Sequence, residues 1–373
     1  MKKILYLMHL PWGWIKQRPH FIAEGLTGHY SVDVVYRFYR VPFEGKLVKN
    51  ASLPGLSLTP LVILPFNRLV PVAAINAWIL RLYLKGKIGG YDVVWISHPE
   101  MYEAVAQIIP AGAQVVYDCM DNHLAFDLAR RNPSWSRRML AAEGSLLERS
   151  DTIFASSESL KKTLMERYGP NKEINVVNNG IHLEDEGACQ VLPPAVDAAL
   201  ASPNMKLVYI GTVASWLDVE LLVKTVERHR EVVILLIGPC EISLPAHERI
   251  LHLGPVVHRQ IYTVMDKADA LIMPFTVNEL VFGVDPVKLY EYVYSGKPAI
   301  AVRYPESERF GDYVHLYRDM DEFLSLVDRL IRGELGAKKK QSDCVAFARS
   351  NTWEERVKKI VLNIEGAGER VPE

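Results

Sequence analysis

The sequence lacks paired cysteines, an excess of charge of either sign, and long apolar runs. Its 373 residues include four cysteines, which are scattered without a CxxC pair or a metal-ligand spacing. This usage argues against a disulfide scaffold and predicts a reducing, cytoplasmic compartment. The formal net charge is −1, so the composition gives no electrostatic basis for a nucleic-acid partner. No uncharged apolar stretch approaches the roughly 20 residues that a membrane-spanning helix needs.

Several motifs of nucleotide and hydrolase chemistry are also missing. No GxGxxG follows the first apolar run, and the chain contains no GxxxxGK[ST], no GxSxG and no HExxH. The DxD-like sequence at Asp319–Asp321 directly precedes an amphipathic segment, which favours a helix cap over a metal site. We therefore expect no cofactor and no obligatory metal.

What the sequence does contain is a regular alternation of short β-branched runs and helical patterns. This alternation predicts parallel sheets covered by helices. In the first half the predicted strands are Ile4–His9, Ser31–Tyr36, Asp92–Ser97, Gln114–Cys119, Thr152–Ala155 and Ile174–Asn178. In the second half they are Lys206–Ile210, Val232–Ile237, Ile250–Leu253, Ala270–Pro274 and Ala299–Val302.

Two such series in tandem predict an α/β fold with two Rossmann-like, doubly wound domains that face a central cleft. The first domain is expected at 1–180 and the second at 205–350, joined by an acidic, Pro- and Ala-containing linker at 181–204. A last helical pattern, TWEERVKKIVLNIEG, falls within 351–373. Ligands of open α/β sheets bind beyond the carboxyl ends of the strands, so the loops at those ends are the expected site.

Residues 51–87 interrupt the alternation with apolar sequence that also carries Arg68, Arg81, Lys85 and Lys87. One interpretation is a long inserted loop and a helix packed on the first domain. The other is an apolar surface that contacts a bilayer or a lipid-linked molecule, aided by these four cations. The second interpretation would place the protein peripherally at the inner face of the plasma membrane.

Loops after two strands of the second half carry residues suited to a phosphate or a base. Gly211 and Thr212 follow the first of these strands, where a glycine lets backbone N–H groups approach an anion closely. Gly254 and Val256 follow the third strand, where backbone groups can meet the edge of a base. Each loop alone is weak evidence for a binding site. The prediction depends on their common position at one edge of the sheet.

Two further loops follow the same edge. Phe275, Asn278 and Glu279 come after the fourth strand, and the next loop leads into a short helix that carries Lys288 and Glu291 one turn apart. Lys288 can neutralise a diphosphate, and Glu291 can accept hydrogen bonds from two sugar hydroxyls. Alternatively, the two residues form a salt bridge on a solvated helix face.

The ends of this short helix are predicted from their residue types. Asp285 is expected to accept a hydrogen bond from a first-turn N–H, as an N-cap does. Pro286 suits the first helical position, and Gly296 suits the exit. Pro286 is also expected to lie at the phosphate site.

The first half offers fewer chemical groups. Arg18 opens the first helix and either reaches a phosphate or remains solvated. Asp118 and Asp121 end a strand, where either can orient a reacting hydroxyl or take its proton, and where capping or turn formation is the alternative. His98 and His123 also fall at strand ends, and a structural role is the simpler interpretation for both.

The segments NNGIHLE, YIGTVASW, ADALIMPF and PVKLYEYVYSGKPAI, followed by TWEERVKKI, resemble in content and order the motifs of GT-B glycosyltransferases. The chain is most similar to the large retaining family 4, of the group 1 type. Within that family it resembles teichuronic-acid and related cell-surface polysaccharide transferases, to which PWGWIKQRPHFIAEGL and VVYDCMDN are also similar. The resemblance covers nearly the whole chain, and residues 288–298 are its most specific part.

The resemblance implies roles for particular residues. Glu291 would bind the ribose hydroxyls of the nucleotide, and the loops at Gly13 and Gly211 would flank the diphosphate. The final helix, 351–373, would pack back on the first domain.

The sequence also departs from the family pattern. Gly283 stands where family members often carry a second glutamate, and Glu279 would have to take over its contact with the donor sugar. Thr212 stands near the position of a phosphate-binding arginine, so Lys288 or Arg18 would have to serve instead.

The resemblance therefore implies transfer of a sugar from a nucleoside diphosphate sugar, with a UDP-sugar favoured, to a polysaccharide or lipid-linked acceptor. The transfer would need no metal and would retain the anomeric configuration, and Lys288, Asp118 and Asp121 would be its catalytic residues. Two alternatives remain open. One is a non-catalytic partner in polysaccharide assembly, and the other is a sugar-nucleotide epimerase of the same fold, which would turn over the donor without an acceptor.

Overall fold

The computed structural model describes residues 1–13, 15–38, 48, 53–183 and 191–368. The chain divides into two compact units. The first unit is formed by Met1–Asn179 together with the C-terminal segment that begins at Trp353, and the second is formed by Gly180–Thr352.

The described residues form two parallel sheets and the helices that cover them. The strands are β1 Lys3–Met8, β2 Ser31–Phe38, β3 Leu56–Val62, β4 Val93–Ile96, β5 Gln114–Cys119, β6 Thr152–Ala155, β7 Ile174–Val176, β8 Met205–Ile210, β9 Val232–Ile237, β10 Ile250–Gly254, β11 Ala270–Met273, β12 Ala299–Val302 and β13 His315–Tyr317. The helices are α1 Arg18–Leu26, α2 Val70–Leu84, α3 Pro99–Val105, α4 Asp127–Arg131, α5 Pro133–Arg149, α6 Glu158–Tyr168, α7 Pro194–Leu200, α8 Val219–Arg228, α9 His258–Lys267, α10 Glu279–Phe282, α11 Val287–Ser295, α12 Pro305–Glu308, α13 Met320–Ile331, α14 Gln341–Arg349 and α15 Trp353–Gly368.

The first unit contains a seven-stranded sheet in the order β3-β2-β1-β4-β5-β6-β7. Its interior strand β1 is buried on both faces, because Leu5 and Leu7 belong to one hydrophobic core and Ile4 and Tyr6 belong to the other. A parallel strand covered by helices on both sides requires this near-continuous apolar sequence.

The C-terminal helix α15 packs on α1 within the first unit. The rings of Phe21 and Trp353 stack with centroids 4.9 Å apart and an interplanar angle of 7°. A Cβ atom added at Gly25 would lie 2.5 Å from Cγ2 of Val357. The two helices therefore approach closely because position 25 carries no side chain.

The second unit contains a six-stranded parallel sheet in the order β10-β9-β8-β11-β12-β13. Every residue of β9 is buried, and the strands and helices of this unit share one hydrophobic core. The predicted class of two parallel-sheet α/β domains is confirmed. None of the described helices is both long enough and apolar enough to cross a bilayer.

The structure differs from the sequence analysis in three segments, one of which is the unpredicted edge strand β13. The predicted inserted loop contains β3, which pairs with β2 at the edge of the sheet. The sequence analysis did not predict this strand because it contains Pro60. Proline lacks a backbone donor and is accepted only at sheet edges or bulges. The predicted linker at 181–204 contains α7, whose Val196 and Leu200 side chains lie in the core of the second unit.

The Trp353→Ala substitution should destabilise the protein by about 3 kcal/mol, because it removes a buried ring from the contact between α1 and α15. The Leu362→Ala substitution on the same helix is the matched control, since this side chain is 70% exposed, and it should cost less than about 0.5 kcal/mol. Urea unfolding measures both values. Equal losses in the two variants would contradict the packing role of Trp353.

Candidate functional site

Lys288 and Gly211 come together at the carboxyl edge of the second sheet. Gly211 directly follows β8 and has φ of 146°, and a Cβ atom built on it would collide with Cε of Lys288. The lysine side chain, from the first turn of α11, therefore crosses the face of the glycine. Its Nζ atom lies 5.8 Å from the ring centroids of both Tyr209 and Phe275.

This enclosed position affects the charge of Lys288. Burial lowers the pKa of its amine, because a desolvated ammonium is disfavoured, and nearby Glu291 opposes that shift in part. Lys288 forms no ion pair with any described residue. The site therefore holds an amine whose charged form would gain from an anionic ligand.

Gly238, which follows β9, supports the loop at Gly211 from behind. A Cβ atom on Gly238 would overlap the carbonyl group of Gly211. The N–H of Gly211 donates to the Ile237 carbonyl at 2.8 Å, and the N–H of Gly238 donates to the Gly254 carbonyl at 2.9 Å. The loops after three neighbouring strands are thus layered by backbone contacts.

Glu291 lies one helical turn after Lys288 and is paired with His258 rather than with the lysine. The His258 Nε2 atom is 3.1 Å from Oε1 of Glu291, so the alternative interpretation, a salt bridge between Lys288 and Glu291, is wrong. His258 opens α9, directly after the loop that contains Gly254 and Val256. The sequence analysis missed His258, although its place at the start of a helix on the same sheet edge was the signal available.

The predicted N-cap of α11 is also wrong. The N-cap residue is Pro286, and no described side chain caps this helix. Asp285 is buried instead, where it accepts a hydrogen bond from Arg309 at 2.9 Å and from the Tyr290 hydroxyl at 3.3 Å. The helix exit is as predicted, because Gly296 adopts a left-handed conformation with φ of 68°. At the start of α11 the Leu289 N–H donates to the Pro286 carbonyl at 3.0 Å, and the Pro286 side chain provides no cap.

The remaining residues predicted at this edge lie around the same loops. The Tyr209 hydroxyl donates to the Thr212 carbonyl at 2.8 Å, and the Phe275 ring meets the Tyr209 ring edge-on at 6.0 Å. Asn278 caps α10, since its side-chain oxygen accepts from two backbone N–H groups at 3.0 Å. Glu279 is exposed at the start of that helix. Asn278 is thus committed to its helix.

In the first unit, Arg18 and Asp118 bind each other and are not available to a ligand. The Arg18 Nη2 atom donates to Oδ1 of Asp118 at 2.7 Å, its Nε lies 3.1 Å from both carboxylate oxygens, and its Nη1 donates to the Val177 carbonyl at 2.6 Å. Both side chains are buried, with 3% and 0% exposed. We therefore withdraw the predicted phosphate role of Arg18 and the predicted proton-accepting role of Asp118, because the two side chains bind each other and Arg18 also donates to Val177.

Asp121 differs from Asp118, although only two residues separate them. It lies beyond the end of β5 and is half-buried. Burial raises the pKa of its carboxyl to about 7, and the charge of Arg18 lowers it only in part. Asp121 is therefore the group in this loop that can exchange a proton near neutral pH. Gly13 lies exposed in the loop after β1 with φ of 93°.

One buried group has the residue types of a metal site. Ligand atoms of Cys119, His123 and Glu143 lie within 4.8 Å of one another. Glu143, however, already accepts from Tyr117, Arg167 and Tyr168 at 2.7, 3.2 and 2.8 Å. Burial also raises the pKa of the Cys119 thiol, which disfavours the thiolate that a metal needs. These residues do not fit a cation. The DxD segment at Asp319–Asp321 has a capping role instead of a metal-binding one. Asp319 caps α13 by accepting a hydrogen bond from the Glu322 N–H at 2.9 Å.

The Asp118→Ala substitution should destabilise the protein by about 3–5 kcal/mol, because it leaves the Arg18 charge buried without its partner. The control is Glu166→Ala, which breaks the exposed pair between Lys162 and Glu166 and should cost less than about 1 kcal/mol. The double variant Arg18→Met/Asp118→Leu should recover most of the loss. Urea unfolding that shows Asp118→Ala to be as mild as its control would refute the structural assignment.

The Asp121→Asn substitution should stabilise the protein more at pH 8 than at pH 5. A carboxyl whose pKa is raised on folding favours the folded state below its unfolded pKa, and that contribution is lost as the pH rises through about 7. Because one pKa unit is worth about 1.4 kcal/mol, the gain at pH 8 should reach a few kcal/mol. Urea unfolding of both proteins at the two pH values measures it. A gain independent of pH would show that the carboxyl is ionised throughout.

Comparisons with known proteins agree with this architecture. Residues 20–185 match the model of Glycosyltransferase Family 4. The Bacillus subtilis (strain 168) glycosyltransferase TuaH, named for teichuronic acid biosynthesis, is 24% identical over 257 residues, which is 64% of this chain and 64% of the relative's length.

Solved structures extend the likeness over the full chain. Sucrose-phosphate synthase from Thermosynechococcus elongatus superposes with a TM-score of 0.75 at 13% identity and covers 100% of both chains. Anabaena Alr3699/HepE, in complex with UDP and glucose, gives a TM-score of 0.71 at 15% identity and covers 98% of this chain and 100% of its own. An E. coli trehalose-6-phosphate protein bound with UDP-2-fluoro glucose gives 0.70 at 10% identity, with full coverage of both chains. Residues 20–185 are therefore similar to Glycosyltransferase Family 4, and the chain has the GT-B fold.

Proposed function

We propose that this protein transfers a sugar from a nucleoside diphosphate sugar, with a UDP-sugar favoured, to a polysaccharide or lipid-linked acceptor. The observation that carries the proposal is the placement of the Lys288 amine across Gly211, one turn of α11 from Glu291. The HepE and E. coli structures contain UDP or a UDP-sugar, and TuaH is named for a polysaccharide pathway. Together these findings support a UDP-sugar as the donor.

The diphosphate would lie between Lys288, the Gly211 loop and the uncapped first turn of α11. A dianionic group at this point would favour the charged form of the buried amine, and a charge-assisted hydrogen bond is strongest where water is excluded. The uncapped amides of a helix N-terminus add donors for the same anion. As the glycosidic bond breaks, these groups would stabilise the charge that develops on the leaving phosphate.

Glu291 would accept hydrogen bonds from the ribose hydroxyls of the donor. His258 donates to Oε1, which fixes the orientation of the carboxylate and leaves Oε2 without a described partner. A held carboxylate loses less side-chain entropy on binding than a free one. Gly254, Val256 and His258 belong to one loop and helix start, and we place the nucleotide base against that loop.

Asp121 is the group that we propose for contact with the reacting acceptor hydroxyl. A carboxyl with a pKa of about 7 can take up a proton near neutral pH, as a general base does. Retention of configuration and independence of metal remain part of the proposal on the strength of the family resemblance.

The acceptor side of the proposal includes peripheral contact with the inner face of the plasma membrane. Between residues 53 and 91 the chain has no acidic residue. Apolar side chains from this region that are at least 40% exposed are Leu53, Val62, Leu64, Phe66, Leu69, Val70, Ile75, Trp78 and Leu82. Of the four cations, Arg81 is committed to the protein through a 2.9 Å bond to the Ala104 carbonyl. Arg68, Lys85 and Lys87 remain at the surface.

The Glu291→Ala substitution should lower the affinity for UDP about 10-fold or more, because the ribose hydroxyls lose a charge-assisted acceptor worth about 1.5–3 kcal/mol. The control is Glu220→Ala, an exposed acid of α8 in the same unit, which should leave UDP affinity unchanged. Isothermal titration with UDP and with GDP measures the affinity and the preference for the base. If Glu291→Ala binds UDP as tightly as the control does, the ribose assignment fails.

A further inference from the structure

The first unit contains a cavity of about 360 Å³ that no step above uses. It lies at the carboxyl ends of β1, β2 and β4, where binding sites of parallel sheets form. Arg37, Arg68 and His98 line it with polar groups, and Phe66, Leu128 and Trp135 line it with apolar surface. Its size is that of a small ligand site.

Glu100, on the floor of this cavity, has its carboxylate fully occupied. It accepts from Arg37 at 2.5 Å, from Asn67 at 2.8 Å, from the Trp135 indole N–H at 2.8 Å and from Arg138 at 3.0 Å. Burial opposes ionisation of Glu100, but Arg37 and the other donors hold its pKa below the usual value. A carboxylate offers about four acceptor positions, so Glu100 acts as a scaffold and has no position left for a ligand.

The cavity consequently carries a surplus of positive charge. Arg37 and Arg138 share the single charge of Glu100, and Arg68, at the rim, pairs with no carboxylate among the described residues. Glu103 lies 3.3 Å from Arg138 but is 40% exposed, so solvent screens that pair. An anionic ligand would match this surplus.

His98 adds an uncharged donor. Its Nδ1 accepts from the Glu100 N–H at 3.1 Å, and burial, with His123 and His9 nearby, lowers the pKa of its ring well below the usual value. A neutral ring that accepts at Nδ1 carries its hydrogen on Nε2. No described residue accepts from that N–H, which leaves it for a ligand in the cavity.

The rim of the cavity continues into the apolar surface of α2. Phe66 is 60% exposed and adopts φ of 66°, a costly conformation for an aromatic residue. Buried Asn76 of α2 holds this loop by two 2.9 Å bonds to the backbone of Leu64 and one 3.0 Å bond to Asn67. Asn76 thus holds the loop that places Phe66 and Arg68 between the polar cavity and the solvent.

From this rim the apolar surface runs along one side of α2. Ile75, Trp78 and Leu82 follow each other at spacings of three and four residues, which places them on one helix face. Their exposed fractions are 46, 60 and 57%. Such a face beside Lys85 and Lys87 has the character of a helix that lies in an anionic membrane surface.

We propose that this cavity binds the phosphate group of a lipid-linked acceptor, whose hydrocarbon chain passes over Phe66 into the bilayer on which the exposed face of α2 lies. This inference rests on the proposed function and names the class of its acceptor. Arg68, with Arg37 and the Nε2–H of His98, holds the phosphate. A free sugar acid or inorganic phosphate would match the charge but would leave the adjoining apolar surface uncovered.

The test is equilibrium binding of geranylgeranyl phosphate, in a neutral detergent, to the full chain and two variants. Arg68→Ala should weaken binding about tenfold, which corresponds to loss of one charge-assisted contact of about 1.4 kcal/mol. Lys85→Ala removes a cation of the same segment outside the cavity, and it should change the affinity less than about twofold. Both side chains are exposed, so neither variant should disturb folding.

Three further ligands identify which part is recognised. Geranylgeraniol, inorganic phosphate and glucuronate should each bind at least about tenfold more weakly than geranylgeranyl phosphate, because each lacks one of the two interactions. If geranylgeraniol binds as tightly as geranylgeranyl phosphate, the phosphate group is not recognised. If inorganic phosphate or glucuronate binds as tightly, the hydrocarbon chain is not recognised. Equal losses of affinity for geranylgeranyl phosphate in Arg68→Ala and Lys85→Ala would show that only diffuse electrostatic attraction is involved. That result would contradict binding in the cavity.

Vesicles separate the acceptor from the bulk bilayer. Vesicles of phosphatidylglycerol and phosphatidylcholine should bind the protein, and Arg68→Ala and Lys85→Ala should weaken this binding equally. If Arg68 alone matters for these vesicles, the cavity holds an ordinary lipid head group and the acceptor proposal is wrong. UDP titration of the same variants should show unchanged affinity. Intact UDP binding without binding of geranylgeranyl phosphate would overturn this inference while leaving the proposed sugar transfer standing.

Discussion

The crossing of Lys288 over Gly211 is the constraint on which the carboxyl edge of the second sheet depends. No side chain larger than hydrogen fits at position 211, because Cε of the lysine occupies the space that a Cβ would need. Position 238 must also be glycine, because a side chain there would collide with the Gly211 carbonyl. Three loops and the start of α11 are therefore layered at backbone distance. This layering places the Lys288 amine, whose pKa burial lowers, beside the first turn of α11.

Several charged side chains among the described residues are compensated by partners. Arg18 donates to the buried Asp118 and Arg309 donates to the buried Asp285, and Glu100 is shared among four donors. Such compensated charges hold distant parts of the chain together, and removing one partner leaves the other unpaired at high cost. Lys288 and Asp121 have perturbed pKa values and lack this compensation. A perturbed pKa without such compensation makes a residue a candidate for function.

The sequence was sufficient for most strands of both sheets and for the sheet edge at which Gly211 and Lys288 meet, because both follow from local patterns. Apolar runs give strands, their order gives parallel sheets, and parallel strands bring their carboxyl ends to one edge. Gly211, Lys288 and Glu291 were found in this way. The partners of charged residues could not be found, since Arg18 meets Asp118 across 100 positions and Glu291 meets His258 across 33. Pairings of this kind depend on tertiary packing, which residue type and spacing do not encode. The same limit explains why Asp285 was expected to cap a helix that it does not cap.

Asp118 and Asp121 show how position alone can separate two chemically identical groups. Asp118 is the fifth residue of β5 and is completely buried, and the Arg18 guanidinium donates to both of its oxygens. Asp121 comes two residues after that strand ends, where burial acts on it without a partner of its own, and its pKa rises to about 7. Moving the ion pair to Asp121 would reverse these roles, since the guanidinium would then lower that pKa and fix the charge. The pairing of Arg18 with Asp118 is thus also what leaves Asp121 able to take up a proton. A contact that holds α1 to β5 thereby sets which carboxylate of the loop can do chemistry.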